Sequence, residues 1–520
     1  MSTRSKRHPY LEGNYAPIRT TVSSVPCKSE GLIPDEFIAG QYVRNGSNPL
    51  ADSNTHGDIH WFDGDGMLTG VFFEKIPGFG VKPQFSNQYV LTDVYSATRK
   101  NRSLYPVIPS MATLVNPSPS RVQILIGMVR AYIIVFASLL KIIARPIKRI
   151  GAANTNIVHH DGRVLATNEI GPPMRVLLPS LKTVGWFTGS RAEGEGQGKA
   201  ADEGRREPYF GGKGIEGFYK EMTTAHPRVD RRTGELILFH STFLPPFVQY
   251  SIVPAELSLS EARLNQPVPG LSSGKLMHDF GVSSNYTVII DCPVSLDPFR
   301  LRNNESAVEY DANGRTRLGV FPRHAPNQVH WHETSPCIVM HTANTWDEES
   351  SEGPRIHLLL CRENSLAPLY TMGSLTPPES VCAEEPESRL YYYQISREII
   401  HQWALSVIPF EFPNVPRHRE MTAAQFIYGC SMSDGNFTSA STTGIKIDCL
   451  VKIDVKALID RGIASPPPQV TGAVDTRSIQ EVLKSTDPDD AVKVFKLPSG
   501  WYAQECSFVP RRQGHSEDEG

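Results

Sequence analysis

The sequence lacks any paired-cysteine signature. Its 8 cysteines are scattered, with no CxxC pair and no regular spacing. Neither a disulfide framework nor a structural zinc site is indicated, and a reducing, cytosolic setting fits best. Charge imbalance is missing as well. The 52 basic and 55 acidic residues leave a formal net charge of −3, which removes any global pull toward nucleic acid or an anionic membrane, so a basic contact surface would have to be local. The opening, MSTRSKRHPYLEGNYAP, is basic but has none of the apolar core that a secretory signal needs. Clear helical periodicity is scarce.

What is present is β-like. A chain of 520 residues with 40% hydrophobic content can bury a large core. Its 40 glycines and 41 prolines fall repeatedly between short apolar runs instead of gathering in one linker, the punctuation of many short strands. From Phe37 onward, runs rich in strand-forming residues meet turn residues, as at Asn45-Gly46, at Asp63-Gly64-Asp65-Gly66 and at Asp161-Gly162 after His159 and His160. Both of these histidines are expected to be exposed. Similar units recur at HPRVDRRTGELILFHSTF, NYTVIIDCPVSLD, CIVMHTANTWDE and RIHLLLCRENS. Recurrence over several hundred residues without a strict period points to a β-propeller with divergent blades, with a large β-sandwich as the alternative.

Three segments depart from this pattern. Residues 122–143, VQILIGMVRAYIIVFASLLKII, approach the length of a bilayer span, but Arg130 interrupts them and Lys141, Arg145, Lys148 and Arg149 follow. An apolar body with a cationic edge suits a membrane-dipping anchor. A buried core helix is the alternative, and a true span is disfavoured because Arg130 would sit near the bilayer centre. Residues 189–214 are glycine-rich and charged, and residues 465–490 open on prolines and close on acidic residues. Both read as flexible surface loops.

One stretch draws chemistry to itself. PCIVMHTANTWDEE carries His341 at the end of an apolar run, with Asn344, Trp346 and Glu348 following. His226 in TTAHPRVD and His278 in KLMHDFGVSS sit in comparable strand-like contexts. Each alone would ordinarily be a structural histidine; brought together from distant strands, the three would form a metal site. His330 and His332 make an HxH on one strand face, a weaker pair.

The ordered array QYVRNGSNP, HWFDGDGML, ANTNIVHHDGRVLATNEIGPP, AHPRVD, MHDFGVS, HTANTWDE, EFPNVP and QECSFVPR resembles the carotenoid cleavage oxygenases, from about Tyr10 to the C-terminus. HPYLEGNYAPI and the apolar insertion before ANTNI look most like fungal members that cleave torulene or β-carotene. The resemblance implies one domain over residues 1–520, an all-β, seven-bladed β-propeller with a helical and loop dome. It implies non-haem Fe(2+) held by His226, His278 and His341, with Glu169, Glu411 and Glu505 as the carboxylates that orient the ligands. It further implies a carotenoid substrate, O2 and two aldehyde products; the cysteine usage, charge balance and apolar segment add the expectation of a cytoplasmic protein in peripheral contact with membrane and with no nucleic acid partner.

One departure stands out. The family's fourth histidine ligand lies in sequence beyond QECSFVPR, and the chain is written only to Gly520; His515 sits in polar RQGHSEDEG and is not assigned. If the sequence were complete as written, the last blade would be incomplete and the activity impaired; a sequence cut short of the family's remaining strands is the reading that the intact earlier motifs favour. Two other readings follow: a catalytically impaired propeller that binds carotenoids or partners, and a stilbene-cleaving relative.

Overall fold

The computed structural model describes residues 9–50, 59–78, 80–104, 107, 110–115, 129–130, 133–134, 136–137, 147–195, 210–211, 220–255, 262–303, 305–381, 387–437, 444–514 and 516–520. They divide into two compact units. The first comprises Met1–Gly274, Leu296–Val308 and Gly373–Leu375; the second comprises Lys275–Ser295, Glu309–Met372 and Thr376–Gly520.

The first unit holds three four-stranded antiparallel sheets. One orders its strands Val22–Pro26, Gly80–Tyr89, Asp65–Ile76 and Gln41–Asn48. The next is a meander of Ile157–His160, Arg163–Ala166, Met174–Leu177 and Lys182–Trp186, and the third runs from Arg228–Val229 through Leu236–Ser241 and Val248–Val253 to Arg263–Pro267. Asp161 and Gly162 form the expected hairpin turn, with φ of 48° and 69°. A two-residue turn that follows the strand twist requires positive φ at both central positions.

Two expectations fail in this unit. His159 is exposed, but His160 is buried, and its Nε2 lies 3.0 Å from the Gly234 carbonyl oxygen. Consecutive strand residues face opposite sides, so one of the pair must turn inward. Asn45-Gly46 is not a turn: the pair lies inside Gln41–Asn48, opposite Leu68 and Met67. Asn45 Nδ2 donates to the carbonyls of Ala153 at 2.9 Å and Asn156 at 3.3 Å, tying its strand to the segment that leads into the next sheet.

The segment read as a loop at residues 189–214 contributes several of its described residues to the core, though Glu193 and Gly194 are exposed. Ser190, Ala192 and Phe210 are buried, and Phe210 packs edge-on to Phe187 at 6.2 Å. Glu195 accepts from Arg163 at 2.7 Å and from Arg175. Residues 196–209 and 212–214 lie outside the described residues.

In the apolar insertion, Val129, Arg130, Ile133, Ile134, Phe136 and Ala137 are helical. Ile134 packs with Ala97, Val107 and Ile147, whereas Val129, Ile133 and Phe136 are exposed by 48%, 61% and 62%. Among the described residues no helix is long and apolar enough to cross a membrane.

The second unit holds the other three large sheets. Their strands run Gly281–Val282, Tyr286–Asp291, Thr316–Pro322, His330–Thr334; then Ile338–Ser350, Gly353–Glu363, Ser388–Ile395, Ile399–Ser406; then Glu411–Asn414, Phe426–Ser431, Cys449–Asp454, Val492–Lys496. Tyr391, Tyr392 and Tyr393 are all buried, and because consecutive strand residues face opposite sides, both faces of this central strand are covered. Trp346, Leu359, Tyr392, Trp403, Phe410 and Val451 share one core cluster. The region read as a loop at 465–490 contributes Ala473–Asp475 as a parallel fifth strand, beside Ile399–Ser406, and a helix, Ile479–Lys484. Ser478 and Glu481 close a capping box at that helix's start, satisfying amides that would otherwise lack partners. The fold is thus mainly β, in six sheets of four or five strands, with no seventh sheet of this size among the described residues. Seven cysteines are described and all are free.

Candidate metal centre

The three histidines occupy equivalent places in three sheets. His226 lies two residues before Arg228–Val229, His278 lies three before Gly281–Val282, and His341 is the fourth residue of Ile338–Ser350. Each of these strands is the first of its sheet in chain order. Among the described residues, one group of His, Cys, Asp or Glu side chains could hold a metal ion: His226, His278 and His341, whose ligand atoms lie within 4.8 Å of one another.

His341 is aimed by irregular backbone. Opposite Gly353–Glu363, the register shifts between Val339 and Thr342 and again between Thr342 and Asn344, so one extra residue is inserted at Met340–His341 and another just after Thr342. Bulges of this kind re-aim a side chain without ending the sheet. Asn344 then secures the strand, donating to Thr422 O at 2.8 Å and accepting from Met421 N–H at 3.1 Å.

The far nitrogen of His341 is held by a carboxylate. Nδ1 lies 2.6 Å from Glu411 Oε2, which also accepts the Phe412 N–H at 2.8 Å, while Ser388 Oγ donates to Oε1 at 3.3 Å. Glu411 is buried. Phe412 has φ of 53° and packs its ring 5.3 Å from His341. A left-handed aromatic residue is strained and survives only where its surroundings enforce it; here the enforced turn brings Glu411 to the imidazole. With Nδ1 engaged, Nε2 is left as the ligand atom.

The electrostatics favour positive charge at this point. Burial works against a charged ring, yet the charge and hydrogen bond of Glu411, with Asp279 and Glu505, raise His341 to about 9. The same negative field would favour a divalent cation. Glu363 is pushed up to about 8, first by burial and then by the charge of Glu411, to which it hydrogen bonds. A protonated Glu363 keeps two carboxyls side by side at the cost of one charge.

Around His278 the structure adds a residue that the motif reading did not single out. Asp279 is buried, and its Oδ2 accepts the N–H of Thr342 at 2.7 Å and the hydroxyl of Thr342 at 3.0 Å. The rings of His278 and His341 meet edge to face, with centroids 5.1 Å apart. An acidic residue next to a candidate ligand was the only available signal in the chain.

Of the three glutamates implied by the family, Glu411 is at the imidazole. Glu169 stands on the 167–171 loop, which is tied to the His226 segment on both sides: Thr167 Oγ1 donates to Ala225 O at 2.6 Å, and Thr223 Oγ1 donates to Gly171 O at 2.7 Å. Glu505 is exposed, and it acts on His341 through its charge. His330 and His332 lie in a later strand, outside the metal group, and burial lowers the pKa of His332. His515 lies outside the described residues.

Comparison with known proteins agrees with this geometry. The family model described as RPE65, Retinal pigment epithelial membrane protein, matches residues 15–520. The chain is 44% identical to a carotenoid dioxygenase, carX, of Gibberella fujikuroi, over 99% of this chain and 81% of that protein. It is 26% identical to a carotenoid 9,10(9',10')-cleavage dioxygenase of Phaseolus vulgaris, over 99% and 81%. Among solved structures, it is similar to the Synechocystis apocarotenoid oxygenase, with a TM-score of 0.61 and 17% identity over 97% of this chain and 85% of that one. The lignostilbene dioxygenase of Pseudomonas brassicacearum is similar too, with a TM-score of 0.61 and 19% identity over 88% and 84%. The chain therefore belongs to the carotenoid cleavage oxygenase family, oxidoreductases that incorporate O2, and has their mainly-β propeller fold.

Proposed function

We propose that this chain holds iron(II) through His226, His278 and His341 and cleaves one conjugated C=C bond of a carotenoid or apocarotenoid with O2. The C=C bond breaks, and each carbon takes one oxygen atom of O2, giving two carbonyl products. The convergence of three imidazoles with one carboxylate-oriented ring supports this reading. Imidazole donors suit iron(II), and neutral ligands leave the cation its full charge. When bound, the metal supplies the activation of O2. The chain's own part is to hold and aim the ligands, through Glu411 and, in this reading, Glu169 and Glu505, and to place one double bond beside them.

Torulene or β-carotene is the proposed substrate, supported by the 44% identity to a fungal carotenoid dioxygenase. The complete fold is proposed to be the seven-bladed form with a helical and loop dome. The exposed apolar face of Val129, Ile133 and Phe136 supports peripheral contact with a membrane from the cytoplasmic side, which would deliver a water-insoluble polyene.

The test is iron content together with products. Protein reconstituted with iron(II) is expected to hold one iron per chain and to form aldehydes from torulene or β-carotene, with label from 18O2 in both products. A folded protein that stays iron-free would sink the enzyme reading in favour of a carotenoid-binding propeller. Turnover of a stilbene in preference to both carotenoids would replace the substrate class.

A further inference from the structure

We propose that Asp279 is a positioning residue that sets the relative orientation of His278 and His341; this rests on the metal-centre reading above. Asp279 is covalently next to His278, and it is the hydrogen-bond partner of the residue next to His341. Its Oδ2 accepts from both the amide and the hydroxyl of Thr342, at 2.7 and 3.0 Å. Its Oδ1 accepts the Phe280 N–H at 2.7 Å. Thr342 Oγ1 is also 2.9 Å from Phe280 O, so its single proton is shared between two acceptors on the His278 side. One carboxylate thus joins the two ligand-bearing segments through two donors of Thr342, while its other oxygen is held by the neighbouring Phe280 amide.

The backbone explains why a carboxylate is needed here. Val339 stands opposite Arg362 and Thr342 opposite Leu360, leaving Met340 and His341 to share Cys361. In this bulge the Thr342 amide donates to the Asp279 carboxylate. A buried amide without an acceptor would be costly, and a second solution, a flat strand, would turn His341 away from its present direction. Asp279 stabilises the bulged arrangement, and because it adjoins His278, it does so in fixed relation to the other ring, whose centroid is 5.1 Å from that of His341. Its negative charge also adds to the field at His341.

The experiment loads the full chain with cobalt(II), a visible probe of ligand geometry, and compares wild type with Asp279→Asn, Thr342→Val and Thr342→Ser. Affinity is measured by competition with a chelator, and ligand geometry by the d–d absorption bands. Asp279→Asn and Thr342→Val are expected to bind cobalt about tenfold to a hundredfold more weakly and to shift the bands. Thr342→Ser keeps the hydroxyl and is expected to restore both. If Thr342→Val and Asp279→Asn, at unchanged unfolding midpoints, match the wild-type affinity and spectrum, the positioning role is overturned. If Asp279→Asn does not fold, the split between Thr342→Val and Thr342→Ser decides alone. A wild-type protein that binds no cobalt would overturn the metal centre itself, which is a distinct failure.

Discussion

Glu411 holds His341 from behind, with Oε2 2.6 Å from Nδ1, and takes the Phe412 amide on the same oxygen. That oxygen therefore fixes both the rotation of the ring and which nitrogen carries the proton. Glu411→Gln keeps the shape but removes the charge. Metal affinity is expected to fall about tenfold to a hundredfold, measured by chelator competition. In the metal-free variant, the His341 imidazole is expected to titrate well below its value of about 9, because the main opposing influence to burial is gone. An unchanged titration, followed by NMR of the ring protons, would show that Glu411 does not govern the ring.

The fold and the centre were legible to different depths. His226, His278 and His341 could be singled out because each stands beside strand-like sequence, the first two just ahead of their strands and His341 within the first residues of its own. Asp161-Gly162 could be placed because a two-residue hairpin is a local event. Asn45-Gly46 carries the same local signal, but the side chain of Asn45 is used across sheets, on Ala153 and Asn156, and no local rule anticipates that. Asp279 and Thr342 lie 63 positions apart, and Glu363 meets Glu411 only after two strands have been laid between them. The candidate ligands announce themselves by type; the groups that contact them are defined only in the folded chain.

Gly66 illustrates a packing constraint of that kind. Its N–H donates to Ala152 O at 3.0 Å, and a Cβ on it would meet Ala153 O at 2.2 Å and Ala152 O at 2.8 Å. Both obstacles are backbone, so no side chain can swing aside. Gly66→Ala is expected to destabilise the protein by about 1–3 kcal/mol, the usual cost of overpacking. A thermal or urea unfolding midpoint equal to wild type would show that the Ala152–Ala153 segment yields freely.

His240 makes stability depend on pH. It is fully buried, its Nε2 lies 2.8 Å from Ser251 Oγ, and Phe210 stands 5.1 Å away. Burial lowers it to about 3 from 6.5, so the folded state holds the neutral ring where the unfolded chain binds a proton. Between those two values the unfolded state carries the extra proton, and stability rises with pH. The contribution is complete above pH 6.5 and is lost as pH falls, by up to about 1.4 kcal/mol per unit. His240→Gln can still hydrogen bond to Ser251 without titrating. Its urea midpoint is expected to vary less between pH 5 and 7 than that of wild type. Parallel pH dependences would place the His240 titration outside the folding equilibrium.

The helix in the apolar insertion makes a separable prediction. Val129, Ile133 and Phe136 recur at the spacing of one helix face and are exposed by 48%, 61% and 62%, while Ile134 anchors the other face among Ala97, Val107 and Ile147. An outward apolar face on an anchored helix can enter the acyl boundary of a bilayer without disturbing the core beneath it. The double variant Ile133→Glu with Phe136→Glu removes two large apolar groups from that face, and co-flotation with phospholipid vesicles is expected to drop roughly tenfold or more. Its unfolding midpoint and metal content are expected to stay at wild-type values, because neither side chain packs into the core. Ile134→Glu, by contrast, places a carboxylate in the buried cluster and is expected to lower the midpoint. Undiminished flotation of the double variant would show that membrane contact is made by another surface.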